Sequence, residues 1–238
     1  MNVEIIKCLK DNYSYLVIDS NNNALIVDPG EAEPLIKVID KKKVNLKFIL
    51  NTHHHFDHIG GNEELKKKYK AKILGFENDR DRIPGIDISL SDNEIWKSGD
   101  FEAQIIYIPG HTSGHIAFHF YKNEILFSGD TLFSLGCGRV FEGTNIEMYE
   151  SLSKLKNLPL NTKIYCCHEY TYNNSLFCMK YDNKNIELKK KIIEIGKKIK
   201  RNEPTIPSTI KEELECNIFL RAKSIEEFSK LRDLKDNF

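Results

Sequence analysis

Apolar positions along the chain follow two rhythms. Short runs rich in Val, Ile, Phe and Tyr recur through the first two thirds: VEIIKCL, YSYLVID, NALIVD, LKFIL, AKILGF, FEAQIIYI, HIAFHF, EILFSG and TKIYCC. Their length and β-branched content predict strands. Between them, EAEPLIKVIDKKK after Pro29-Gly30 and NIEMYESLSKLKNL after Gly143-Thr144 repeat apolar residues at helical spacing. The SNNN stretch from Ser20 to Asn23 predicts a hairpin turn, because Asn tolerates positive φ. The chain therefore opens with antiparallel strands and then alternates strands with helices, the pattern of α/β sheets covered by helices on their outer faces.

After about residue 170 the β-branched runs give way to NIELKKKIIEIGKKIKR and EELECNIFLRAKSIEEFSKLRDLK, both helical in pattern, which predicts a small helical appendage. Ile192, Ile195 and Ile199 are expected to face inward from the first of these. Residues 180 to 201 hold nine Lys/Arg against three Asp/Glu. That run reads as the solvated face of an amphipathic helix, since no aromatic residues alternate with the basic ones to stack nucleic-acid bases.

Composition narrows the class. A chain of 238 residues allows one large domain with a smaller appendage, and 40% hydrophobic with 29% charged residues excludes disordered and collagen-like classes. Lys+Arg and Asp+Glu are 35 each, so no global field steers the protein to nucleic acid or membrane. The opening MNVEIIKCLKDN lacks the apolar stretch of a signal peptide and the Arg of a transit peptide, and no run approaches a membrane span. The six cysteines contain no C-x-x-C and no regular spacing. They read as small buried side chains rather than a disulfide framework or zinc knuckle, in a cytoplasmic setting.

The candidate chemistry lies in the histidines. FILNTHHHFDHIGG places His53, His54, His55, Asp57 and His58 directly after an apolar run, and His111, Asp130 and His168 follow QIIYIPG, EILFSG and KIYCC. Strand ends and their loops are where sites are assembled in layered α/β folds. In an extended segment His53 and His55 project to one side and His54 to the other. His54, His115 and His119 are read as hydrogen-bonded surface residues. Five imidazoles and two carboxylates exceed what one tetrahedral ion takes. Two ions sharing a carboxylate accommodate all seven, at the separation of about 3.5 to 4 Å usual in two-metal hydrolytic centres.

With T-H-H-H-F-D-H (Thr52 to His58), G-H-T-S-G-H (Gly110 to His115), S-G-D-T-L-F (Ser128 to Phe133) and C-H-E-Y (Cys167 to Tyr170), the sequence resembles the metallo-β-lactamase superfamily. The runs G-C-G-R (Gly136 to Arg139), F-E-G-T (Phe141 to Thr144), E-P-T-I-P-S-T (Glu203 to Thr209), N-I-F-L-R (Asn217 to Arg221) and R-D-L-K-D-N-F (Arg232 to Phe238) are similar to the glyoxalase II, or hydroxyacylglutathione hydrolase, family. The resemblance covers essentially the whole chain.

It implies a four-layer αββα sandwich over residues 1–170 and a helical substrate-binding domain over 171–238. It implies one metal held by His53, His55 and His111, a second by Asp57, His58 and His168, and Asp130 as the bridge, with Asp57 and Asp130 the carboxylates of catalysis. Glutathione contacts are implied for Arg139, Phe141, Tyr170, Arg232 and Lys235. The family usually has Lys at the position of Arg139, often Tyr at that of Phe141, and Pro at that of Ile218.

The implied reaction is hydrolysis of S-D-lactoylglutathione to D-lactate and glutathione by a metal-bridging hydroxide. The expected cofactors are two divalent ions, zinc first, with iron and manganese suited to the same ligands. The expected partner is a small-molecule glutathione thioester acted on by a monomer, with no nucleic-acid or membrane partner. A one-iron persulfide dioxygenase, a nuclease and a metal-binding regulatory module remain open on the same motifs.

Overall fold

The computed structural model describes residues 1–238. The chain divides into two compact units, one of residues Met1–Tyr107 with Gly114–Asn123, the other of Ile108–Ser113 with Glu124–Phe238.

The first unit holds a six-stranded sheet in chain order: β1 (Asn2–Cys8), β2 (Asn12–Ile18), β3 (Asn23–Val27), β4 (Asn45–Leu50), β5 (Lys72–Phe76) and β6 (Ile88–Leu90). Strands β1 to β3 pair antiparallel, and β3 to β6 are parallel. The β2–β3 connection is the Asn-rich turn the sequence predicts, with Asn22 at φ 62°. From β3 onward each crossover carries helix: α1 (Glu33–Lys42) between β3 and β4, then α2 (Phe56–Ile59) and α3 (Asn62–Tyr69) between β4 and β5. Leu35 and Ile39 of α1 and Leu65 of α3 are buried with Leu16, Ile26, Ile49 and Ile73 of the sheet in one apolar cluster. An antiparallel meander, β7 (Ile95–Ser98), β8 (Phe101–Tyr107) and β9 (Ile116–Phe120), completes this unit.

In the second unit β10 (Ile125–Gly129) runs parallel to β13 (Lys163–Cys166), which pairs antiparallel with β14 (Ser208–Thr209). A small hairpin, β11 (Leu132–Phe133) and β12 (Gly136–Cys137), lies between β10 and α4 (Asn145–Lys156). Helix α4 starts with a capping box in which Thr144 and Glu147 satisfy each other's backbone N–H groups, worth about 1 kcal/mol. Four helices follow β13: α5 (Thr171–Tyr181), α6 (Ile186–Lys200), α7 (Ile210–Cys216) and α8 (Ile225–Asp236).

Two expectations need correction here. In α6 the buried positions are Leu188, Lys191 and Ile195, while Ile199 is 44% exposed. Lys191 takes a place on the inner face because its ammonium meets Glu212 of α7 at 2.8 Å while its aliphatic stem stays covered. Ile199 sits in the last turn, past the last buried position. His115 and His119 of the β9 segment are not surface residues either, being 0% and 3% exposed. All six cysteines are free and buried, as expected of small apolar side chains.

Candidate metal centre

Sheet geometry in the first unit delivers donors just past the ends of β3 and β4. Asp28, the residue after β3, adopts φ 48°, a left-handed conformation that Asp tolerates better than most side chains. Its carboxylate accepts the Thr52 N–H at 2.8 Å and the Thr52 hydroxyl at 2.7 Å. That pair fixes the backbone leading into the histidine cluster. A Cβ at Gly30 would lie 2.5 Å from the Asp57 carbonyl oxygen, so glycine is required where the loop after β3 passes under α2.

His53 and His58 are fully buried. The Nε2 of His53 lies 3.2 Å from Nδ1 of His55, and the His53 ring stacks on His115 with centroids 4.6 Å apart. His54 turns elsewhere, its Nδ1 3.4 Å from the buried Asp79 carboxylate, which also pairs with Arg82. Asp57 accepts from the Asn12 side-chain amide at 2.9 Å. His58 presents Nδ1 to Asp28 at 3.3 Å and Nε2 to Asp57 at 3.6 Å.

The second unit delivers three more donors. Asp130 follows β10, His168 follows β13, and His111 lies in the segment Ile108–Ser113. One oxygen of Asp130, Oδ2, stands 3.6 Å from His111 Nε2 and 3.3 Å from His168 Nε2. His111 Nδ1 donates to the Arg139 carbonyl at 2.9 Å. His168 stacks on Tyr170, centroids 4.7 Å apart and planes 7° from parallel, and meets the edge of Phe133.

One of these contacts fixes a ring tautomer. A carbonyl only accepts, so the proton of neutral His111 is on Nδ1 and its Nε2 carries a lone pair. His58 has carboxylates at both nitrogens, Asp28 at Nδ1 and Asp57 at Nε2, the nearer being Asp28. In each unit an imidazole Nε2 lies 3.6 Å from a carboxylate oxygen, too far for a direct hydrogen bond. That spacing leaves both atoms to ligate one cation, and imidazole nitrogen with carboxylate oxygen is a donor set for divalent zinc, iron or manganese. Histidine oriented through its other nitrogen by a carboxylate or carbonyl is the usual support of such ligands. The residues present fit a divalent metal.

Asp28 is a supporting residue that the ligand pattern did not single out. The signal was present, for Asp28 follows the apolar run NALIV much as Asp130 follows EILFSG.

The residues expected to bind substrate lie in the second unit. Phe141 is 62% exposed, its ring centroid 5.2 Å from that of His111. The Arg139 side chain is 59% exposed and reaches Asp236 at 3.4 Å. Lys235 is partly buried, its ammonium 5.1 Å from the ring centres of Phe177 and Phe238, and burial followed by the nearby Arg232 holds its pKa below the ordinary lysine value. Arg232, for which a glutathione contact is implied, is a buried cation. It is 3% exposed, donates to the carbonyls of Cys137 at 2.8 Å and Gly138 at 3.3 Å, and pairs with Asp236 at 2.9 Å. A guanidinium has several fixed N–H directions, and here those of Nη1 go to backbone carbonyls and one of Nη2 goes to the Asp236 carboxylate.

Comparison with known proteins agrees with this donor set. Residues 10–168 match the metallo-beta-lactamase superfamily, and residues 169–238 match the hydroxyacylglutathione hydrolase C-terminus. A hydroxyacylglutathione hydrolase of Pelagibacter ubique (strain HTCC1062) is 60% identical over the whole of both chains. One of Prochlorococcus marinus (strain MIT 9301) is 44% identical over 99% of this chain and 96% of its own. Among solved structures, ETHE1 from Myxococcus xanthus superposes with a TM-score of 0.76 at 23% identity, covering 98% of this chain and 90% of that one, which shows a shared fold. The chain belongs to the metallo-β-lactamase superfamily and, within it, to the hydroxyacylglutathione hydrolase family.

Proposed function

We propose that the protein hydrolyses S-D-lactoylglutathione to D-lactate and glutathione. The observation that carries this reading is the full-length match to hydroxyacylglutathione hydrolases, which includes the helical residues 169–238 as well as the metal-type donors. In this reading His53, His55 and His111 hold one divalent ion, Asp57, His58 and His168 hold a second, and Asp130 is shared. The Asp130 oxygen facing both His111 and His168 supports the shared role. Bound there, such ions supply Lewis acidity, lowering the pKa of water toward neutrality and polarising a carbonyl.

The chain's own residues do the rest. Asp28 and the Arg139 carbonyl keep the Nε2 lone pairs of His58 and His111 available by holding the protons on Nδ1. Asn12 holds the Asp57 carboxylate in one orientation. Arg139 and Lys235 offer cations to the glutathione carboxylates, and Phe141 and Tyr170 offer ring faces beside His111 and His168. Arg232 supports this surface from behind, through Cys137, Gly138 and Asp236. The leaving group is a thiolate, whose parent thiol has a pKa of about 8.5, so it departs without a strong protein acid.

Residues 1–170 form the catalytic portion in this reading and residues 171–238 the substrate-binding portion. The balanced charge of the chain supports a small-molecule partner without nucleic acid or membrane, and the reading is completed by a monomer working in the cytoplasm, where six free cysteines stay reduced. No helix is long and apolar enough to cross a membrane.

The test is hydrolysis of S-lactoylglutathione by the purified protein, with elemental analysis of the same sample. Turnover with close to two metal equivalents per chain is the expected result. A fully active sample with one equivalent defeats the binuclear assignment, and absence of turnover in a metal-loaded sample defeats the substrate.

A further inference from the structure

Glu213 of α7 is fully buried and belongs to none of the groups described above. Burial pushes its carboxyl up to about 7, against the opposing pull of the Ser208 hydroxyl, the Leu135 N–H and the Asn217 amide. A carboxyl group in such a place costs free energy unless its hydrogen bonds do something an apolar side chain could not.

Its bonds go to the turn of the β11–β12 hairpin. Glu213 Oε2 accepts the Leu135 N–H at 2.8 Å and the Asn217 side-chain amide at 2.9 Å. Asn217 in turn donates to the Gly136 carbonyl at 3.0 Å and the Phe133 carbonyl at 3.4 Å. From α5, Asn174 donates to the Ser134 carbonyl at 3.1 Å and the Cys178 thiol to the Leu135 carbonyl at 3.2 Å. Leu135 itself sits at φ 59°, which is strained for a non-glycine residue. The turn is thus held in shape by side chains of the helical segment, with Glu213 supplying the acceptor for its N–H.

The hairpin joins Asp130 to the segment that follows it. Gly138 donates its N–H to the Thr131 carbonyl and passes so close to Asp130 that a Cβ there would collide with the Asp130 carbonyl oxygen. The next residue, Arg139, gives its carbonyl to His111, and Phe141 lies beside the same ring. The side chains of Arg139 and Phe141 are largely exposed, and their backbone is held at one end by His111, whose carbonyl accepts the Phe141 N–H, and at the other by the hairpin that precedes it.

Resting on the function proposed above, we infer that Glu213 is a positioning residue for substrate recognition: through the Leu135 N–H and Asn217 it fixes the hairpin that sets the Gly138–Phe141 segment. A residue acting this way affects the fit of the tripeptide more than the hydrolysis of a thioester bond. A residue that only stabilises the fold affects both alike.

The experiment compares Glu213→Gln, Glu213→Met and Asn217→Ala in the full-length metal-loaded protein. Each is assayed on S-lactoylglutathione and on a small thioester lacking the tripeptide, with amide hydrogen exchange of residues 133–139. Gln retains an oxygen for the Leu135 N–H and is expected to rescue function, with KM within about twofold of wild type. Met removes the acceptor. It is expected to raise KM for the glutathione thioester about 5- to 30-fold, the equivalent of one or two buried hydrogen bonds, while speeding exchange in 133–139 and leaving the small thioester within about twofold. Asn217→Ala keeps Glu213 and is expected to move the same quantities in the same direction; it decides the matter where the Met variant does not fold. Equal losses on both thioesters, or wild-type KM and exchange in a folded Met or Ala variant, overturn the inference. Failure of the wild type to turn over the glutathione thioester defeats the functional reading instead, and exchange in 133–139 then still decides whether Glu213 holds the turn.

Discussion

His54 brings its Nδ1 to 3.4 Å from the Asp79 carboxylate, while its neighbours His53 and His55 approach each other at 3.2 Å. One residue of offset separates a side chain turned to a buried ion pair from two turned to the donor cluster. Replacing His54 with Ala is therefore expected to leave metal content unchanged and cost less than about tenfold in turnover. His53→Ala and His55→Ala each remove a ligand and are expected to cost at least about a hundredfold. Metal analysis and turnover of the three variants check this, and equal losses would mean that the alternation does not sort ligand from neighbour.

Asp28 supports the same cluster from behind. An Asp28→Asn chain tolerates φ 48° at this position and retains an oxygen for the Thr52 N–H, so the fold is expected to survive. What changes is the partner of His58 Nδ1, which loses a carboxylate and with it part of the basicity at Nε2. Loss of such support costs roughly 10- to 100-fold in metal affinity. Competition with a chelator measures it; unaltered affinity would show that Asp28 shapes the loop and nothing more.

The repeating runs of the first unit were legible because β1 to β5, β8 and β9 are each five to seven residues long and rich in β-branched and aromatic side chains, and the helical spacings of α1, α4 and α6 matched the elements found. Strands β6 and β7, three and four residues long, carry too few positions for a period to show. The ligand cluster was legible because its spacing has no packing explanation, whereas Asp28 stands alone in V-D-P-G, a composition that turns share. His115 was misread because an imidazole in a β pattern gives no sign that another ring, that of His53, covers it. Arg232 and Glu213 were opaque for one reason: their partners are backbone groups of residues 135 to 138, about 80 to 95 positions away, and backbone groups leave no trace in a side-chain pattern.

The R-D-L-K pair divides into two roles on the same footing. Arg232→Ala would leave the carbonyls of Cys137 and Gly138 without their donor in a buried place, which costs about 1 to 3 kcal/mol. A lower melting temperature is expected together with a raised KM for the glutathione thioester. Lys235 makes ring contacts but no such bonds, so Lys235→Ala is expected to raise KM with kcat largely unchanged, the mark of uniform binding, and to move the melting temperature less. Calorimetry beside steady-state kinetics separates them, and identical stability losses in the two variants would refute the division.

Buried Glu213 also makes a prediction about pH. Its carboxyl is held at about 7 against an ordinary value of 4.5, with burial the largest cause, so between those values the folded chain binds a proton that the unfolded chain has released. Its contribution to stability is therefore full below the unfolded value and is lost as pH rises through about 7, by roughly 3 kcal/mol over the interval. The neighbouring thiols do not obscure this window: burial pushes Cys166, Cys178 and Cys216 up to about 12, and they stay neutral throughout. Glu212 beside it is paired with Lys191 in wild type and variant alike. Glu213→Gln has no proton to lose at this position. The melting temperature of the Gln variant relative to wild type is thus expected to rise between pH 5 and pH 8, metal-linked effects cancelling in the difference. Parallel curves for the two proteins across that range would mean that the carboxyl does not titrate in the folded chain there.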